Sequence, residues 1–251
     1  MTGSGSIRMT DFHKFYFKYT TIYYIIWISS FLIIGWYAKQ LPAVDLCLQI
    51  DKKIPLIAQF VWLYLLCFVY PFLLLVITKN WHWYNVALLT SAFCTLMAYS
   101  IHLMIPIAFS KPELGTGISA DVLAFIYRYD FKPGAQNLPS LHVSFSLIVY
   151  FAARKQHIRK VYEYIILLFS LLIILSTLLV KQHLFLDVIA GIALTVLVWY
   201  GIQLVYQKNI NSESDPRLAL ATVIKKLWFY FILFSGAVIM ITLLKLFPAS
   251  G

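Results

Sequence analysis

Residues 161–180 read VYEYIILLFSLLIILSTLLV and residues 184–206 read LFLDVIAGIALTVLVWYGIQLVY, with Lys181, Gln182 and His183 between them. Each run has about the 20 apolar residues that carry a helix across roughly 30 Å of hydrocarbon. Working outward, further runs of this kind lie at 19–38, 54–77, 83–105, 139–153 and 225–247. Of 251 residues, 61% are hydrophobic and 12% charged, against about half and a quarter in a soluble domain. The predicted fold is all-α: a polytopic integral membrane helical bundle of six spans plus a seventh near the C-terminus. The expected divisions are a cytoplasmic leader (1–18), a six-span core (19–206), and a cytoplasmic loop with an additional span (207–251).

Net charge is +10. No basic helix or aromatic-interleaved basic patch accompanies it. Membrane orientation and anionic headgroups account for the excess, and no nucleic-acid partner is expected. Cys47, Cys67 and Cys94 are odd in number, and two fall inside apolar runs, so neither a disulfide framework nor a zinc spacing is read. Gly3-Ser4-Gly5-Ser6 reads as a flexible leader, and the first run lacks a small-residue cleavage site, so it is a span.

Alternate sides of the predicted bundle carry twelve and eight Lys and Arg. The densest cluster, Arg154-Lys155 with Arg159-Lys160, lies in a short connection, where the positive-inside rule is strongest. The N-terminus is therefore expected in the cytoplasm, in the cell membrane. Between the third and fourth runs lies a long polar loop with Lys111, Asp121, Arg128, Asp130 and Lys132; loops of that length usually have a function.

Two stretches carry chemistry. Pro139-Ser140-Leu141-His142 opens the fourth span; proline suits a first helical turn, whose free N–H groups and dipole favour an anion. The bland reading is a proline-started helix with an incidental histidine. The fourth span runs 16 residues from Pro139 to Arg154, about 24 Å, so His142 is expected recessed below the outer surface. His183 and Asp187, four apart, lie on one helix face, where the carboxylate can orient the imidazole. Here the bland reading is a helix-start carboxylate beside a histidine. Ala190, Gly191 and Leu194 continue that stripe and permit close helix packing. Both stretches open spans on the same side, with Lys111 and Lys181 nearby, which describes a phosphate pocket at the extracytoplasmic face. A set of His, His and Asp without a Cys or Glu cluster argues against a metal site. Elsewhere, His13 and His157 read as solvated, His82 as an interfacial anchor and His102 as a satisfied packing histidine. Asp45, Asp51 and Lys52-Lys53 could rim the entrance.

On these residues the chain resembles the type-2 phosphatidic acid phosphatase superfamily, whose motifs are KxxxxxxRP, PSGH and SRxxxxxHxxxD over a six-span core. Pro139, Ser140 and His142 match the second motif, with Leu141 in the glycine place. Ser176, His183 and Asp187 match the third, with Thr177 for its arginine. The first survives as Lys111-Pro112, with Lys111 in the arginine place and Met104 in that of the lysine. The resemblance implies His183 as nucleophile, Asp187 as its orienting carboxylate and His142 as acid and then base. Lys111, Ser140, Leu141, Lys181 and Ser176 would hold the phosphate, with no metal or cofactor. It implies a lipid phosphate or diphosphate phosphatase acting through a phosphohistidine on a phosphorylated membrane lipid. The alternative is a phosphotransferase of the inositol-phosphorylceramide synthase type, a branch that Leu141, Asp130 and Asn137 resemble. A membrane transporter using the His and Asp residues as a relay ranks below both, and homo-oligomerisation is left open.

Overall fold

The computed structural model describes residues 9–130, 136–210 and 213–246; Gly3 to Ser6, Arg8 and Lys132 lie outside the described residues. The helices, in order, are α1 (Met9–Ala38), α2 (Gln49–Lys53), α3 (Val61–Leu66), α4 (Leu73–Ile77), α5 (Trp81–Met104), α6 (Ile118–Tyr129), α7 (Leu141–Arg154), α8 (Lys160–Leu179), α9 (Phe185–Asn209) and α10 (Pro216–Leu246). Among the described residues the sole strand-like pairing is an isolated bridge between Val44 and Ile107. Five stretches are long and apolar enough to cross a bilayer: Asp11–Ala38, Ala58–Ile77, Trp81–Met104, Lys160–Leu179 and Phe185–Asn209. Their outward faces are apolar, as at Leu168, Leu197 and Leu204, where hydrocarbon is the solvent. The molecule is a polytopic helical membrane bundle, as its composition predicts.

Local sequence accounts for most helix ends. The Asn80 side chain accepts the His82 amide at 3.1 Å and starts α5. That helix stops one residue before the Ile105–Pro106 step, where proline disfavours helical geometry. Pro216 opens α10, a position suited to its missing N–H.

Three elements differ from the sequence reading. The second span is broken: after α3, the amides of Cys67, Phe68 and Val69 bond three residues back, and a tight turn follows at Tyr70–Phe72. Pro71 supplies no amide there, and the Tyr24 hydroxyl donates to the freed Phe68 carbonyl. The long polar loop contains α6, which buries Ala120 and Leu123 against the outer bundle and exposes Ile118, Phe125 and Tyr129. Its 12 residues are amphipathic, so the helical period was present within the loop sequence. Finally, the segment read as a cytoplasmic loop up to residue 224 is helical from Pro216.

α7 is the central element, packed against α5, α8 and α9, with nine of its 14 residues buried. It approaches α9 closely because Gly191 has no side chain. A Cβ there would stand 2.8 Å from the Ser140 carbonyl oxygen and 3.0 Å from Val143 Cβ. The small-residue stripe read from the sequence serves this packing.

Candidate active site

Two turns meet at one end of the bundle. Ser140 caps α7: its Oγ accepts the Val143 amide at 3.4 Å, and its own amide donates to the Asp187 carbonyl at 3.1 Å. The turn before α9 is wound tightly, with Lys181 at φ +52° and the amides of Gln182 and His183 both donating to the Thr177 carbonyl. The two motifs, 41 residues apart, are thus joined through backbone.

His142 Nδ1 and His183 Nε2 are 3.1 Å apart. His183 Nδ1 lies 3.4 Å from Asp187 Oδ2, which also accepts the Leu184 amide at 2.8 Å. An ionised carboxylate only accepts, so the proton on His183 belongs on Nδ1, leaving the Nε2 lone pair toward His142. His142 Nδ1 is then the donor of the pair. Its ring is fixed by stacking on Tyr64, centroids 4.6 Å apart, and by the edge of Phe68 at 5.6 Å. Asp187 is fully buried, and its Oδ1 has no partner among the described residues; nor has His142 Nε2.

A cavity of about 490 Å³ opens beside His183. Its wall carries Lys52, Lys111 and Lys181 against one acid, Asp51, and apolar groups that include Ile54, Leu56, Phe109 and Leu178. Lys111 bonds Asp130 at 3.1 Å and lies 4.7 Å from the centre of the Tyr127 ring. Burial lowers its pKa from the ordinary lysine range, and Asp130 opposes that shift. Lys181 donates to the main-chain carbonyls of Asp51 at 2.7 Å and Ile54 at 2.5 Å. Burial lowers its pKa as well, against the pull of Asp51.

The structure therefore brings His142, His183, Asp187, Lys111 and Lys181 to one place. It does not bring the other expected phosphate ligands to the cavity wall. Ser140 is fully buried as a helix cap, and Leu141 is buried beside it. Ser176 is buried in α8, its hydroxyl donating to the Ile173 carbonyl at 2.6 Å. Nor is the start of α9 free for an anion: the Leu184 and Phe185 amides are taken by the carboxylates of Asp187 and Asp51. Carboxylates compete with phosphate for a helix N-terminus because both answer the same unpaired amides and dipole.

Two residues differ in part from the sequence reading. His102 is 1% exposed and lies beside the Pro139 backbone, but among the described residues neither ring nitrogen has a hydrogen bond of good geometry. It is buried, as expected, but not satisfied. Asp51 lines the cavity, as a rim residue would, but it is also buried and bonded to the start of α9. One signal could have drawn attention to it: Leu48-Gln49-Ile50-Asp51 repeats the Leu-x-x-Asp pattern of Leu184-Phe185-Leu186-Asp187.

No curated protein and no solved structure matches the chain. The family model described as PAP2 superfamily matches residues 44–201, well over half of the length and including every residue of the cluster. A histidine pair with an orienting carboxylate, set beside a lysine-lined cavity in a helical membrane bundle, agrees with that match, and the chain belongs to the PAP2 superfamily.

Proposed function

We propose that the protein is a lipid phosphate or diphosphate phosphatase working through a phosphohistidine on His183. Membership of the PAP2 superfamily makes phosphatase- or phosphotransferase-type chemistry the general activity. One observation carries the finer reading: His183 Nε2 faces His142 Nδ1 at 3.1 Å while its Nδ1 side is turned to Asp187. That is a nucleophile, its orienting carboxylate and a proton donor in one line.

In the first half-reaction the Nε2 lone pair of His183 attacks phosphorus. The P–O bond to the lipid alcohol breaks, and the alkoxide takes the proton from His142 Nδ1. Asp187 offsets the positive charge on the phosphorylated imidazole. In the second half-reaction water gives a proton to His142 Nδ1 and its oxygen to phosphorus. The P–N bond breaks, and inorganic phosphate leaves. The entering phosphoryl group displaces the His142–His183 hydrogen bond, so the two rings part on binding. Lys111 and Lys181 hold the nonbridging oxygens, and the apolar wall at Ile54, Leu56, Phe109 and Leu178 receives the lipid end. These steps call on no metal.

The excess of Lys and Arg on the opposite side supports a site at the extracytoplasmic face of the cell membrane, with the N-terminus inside. We assign catalysis to residues 19–206 and treat the C-terminal helix as an addition. The test is purified protein in detergent with phosphatidate, phosphatidylglycerophosphate, a polyprenyl diphosphate and a phosphosphingolipid, each with and without an acceptor alcohol. Phosphate release in excess chelator is expected. New lipid product formed only with the alcohol would assign the phosphotransferase reaction instead, and a requirement for added metal would overturn the mechanism.

A further inference from the structure

We infer that Asp51, in the first outer loop, is a positioning residue for the nucleophile: it fixes the start of the helix that carries His183 and Asp187. The inference rests on His183 as nucleophile but adds a residue outside the three family motifs. Asp51 is 7% exposed, and its three oxygens each bond a different partner. Oδ2 accepts the Leu48 amide at 2.8 Å and so closes its own turn. Oδ1 accepts the Phe185 amide at 2.7 Å, across 134 residues of chain. Its main-chain oxygen accepts Lys181 Nζ at 2.7 Å.

The consequence is geometric. Asp187 closes the α9 turn from within by accepting the Leu184 amide, and Asp51 takes the next amide from outside. The first residues of α9 are therefore held from two sides, with His183 immediately before them. Two buried acceptors on adjacent amides leave the backbone at 184–185 little freedom, and the line from His183 Nε2 to the phosphorus inherits that rigidity. Without Asp51 the Phe185 amide loses its partner and the first outer loop loses its tie to α9. A misplacement of about 1 Å at a reacting group costs on the order of 100-fold in rate. Because Asp51 also lines the cavity, the same bond sets the distance between the cavity wall and the nucleophile.

The experiment is a double-mutant cycle on Asp51→Ala and Phe185→Pro. Proline at a first helical position deletes the donor amide while suiting the helix, and Leu184 already has the extended backbone that a following proline requires. Each single variant is expected to lose about 10- to 100-fold in kcat with KM changed little, and the double variant to be no worse than the poorer single one. Asp51→Asn, which keeps one acceptor oxygen, should retain more activity than Asp51→Ala. Radiolabelled phosphohistidine should form more slowly in each variant, with thermal unfolding in detergent as the folding control. If Asp51→Ala fails to fold, Phe185→Pro alone carries the test, and a wild-type labelling rate in it overturns the inference. Additive losses, or a wild-type kcat in Asp51→Ala, overturn it too. Loss of label in His183→Ala with normal turnover in Asp51→Ala would sink the positioning role and leave the nucleophile assignment standing. Failure of the wild type to label would sink both.

Discussion

Both ends of the bundle hold buried polar networks, and they differ in how completely they are satisfied. At the end where α1 and α10 begin, Tyr16 donates to Asn85 Oδ1 at 2.8 Å, and Asn85 Nδ2 donates to Tyr206 at 2.7 Å and to the Pro216 carbonyl at 2.6 Å. His82 and Tyr206 close the set at 2.9 Å. Helices α1, α5, α9 and α10 are tied by bonds that saturate Asn85, although Trp81 Nε1 and Gln203 Oε1 at this end have no hydrogen-bond partner among the described residues. At the histidine end, His142 Nε2, Asp187 Oδ1, Gln182 Nε2 and both nitrogens of His102 are buried with no hydrogen-bond partner among the described residues. Leaving such groups unpaired costs about 1–3 kcal/mol each, so the two ends are built to different purposes. The saturated end spends its polar groups on stability. Under the proposed mechanism, the unsaturated end keeps donors and acceptors for a phosphoryl group and water.

Five measurements break or sharpen that contrast. The largest effect is expected for His183→Ala: phosphate release should vanish while thermal unfolding stays near wild type. Turnover surviving in this variant would refute the nucleophile. Next is Asp187→Asn, for which a loss of several orders of magnitude is expected, since the neutral amide cannot balance the imidazolium charge and its NH2 can favour the wrong tautomer of His183; kcat with wild-type KM is the readout. Gly191→Ala comes third. Its Cβ would press on the Ser140 carbonyl, moving the turn that carries His142, and kcat should fall about 10-fold or more.

Fourth, Lys111 should impose an alkaline limit. Its pKa is lowered by burial, so its charge is present at low pH and is lost as pH rises, before the ordinary lysine range is reached. KM for a phosphorylated lipid should therefore climb on that limb, and Lys111→Arg, which stays charged, should move the limb upward. An unchanged profile would remove Lys111 from phosphate binding. The smallest effect on turnover is expected from Asn85→Leu. It takes the Asn85 partner from Tyr16 and the Pro216 carbonyl and leaves Tyr206 with His82 alone, so unfolding temperature in detergent should drop clearly while kcat stays within about twofold. A large loss of activity there would show that the two ends are coupled.

Much of this was legible in the order of residues. The apolar runs dictated an all-helical membrane bundle, because hydrocarbon tolerates no unpaired backbone and leaves helix as the local solution. His183 and Asp187 were readable as neighbours because helix geometry places residues four apart together. Gly191 was readable as a packing site on the same stripe. What lay beyond local periodicity was not readable. That Ser140 is buried as a helix cap, and that the Ser176 hydroxyl is turned back onto the Ile173 carbonyl inside α8, depends on which neighbour each faces. Asp51 reaches Phe185, and His142 meets His183, only because three loops are folded over one end of the bundle. The sequence by itself determined that the chain is an apolar helical bundle and which side chains could do chemistry, since length, hydropathy and helical spacing act within a few turns of chain. Tertiary structure alone decided which polar groups are consumed as caps and which remain unpaired, because hydrogen-bond satisfaction is a property of contacts between distant segments.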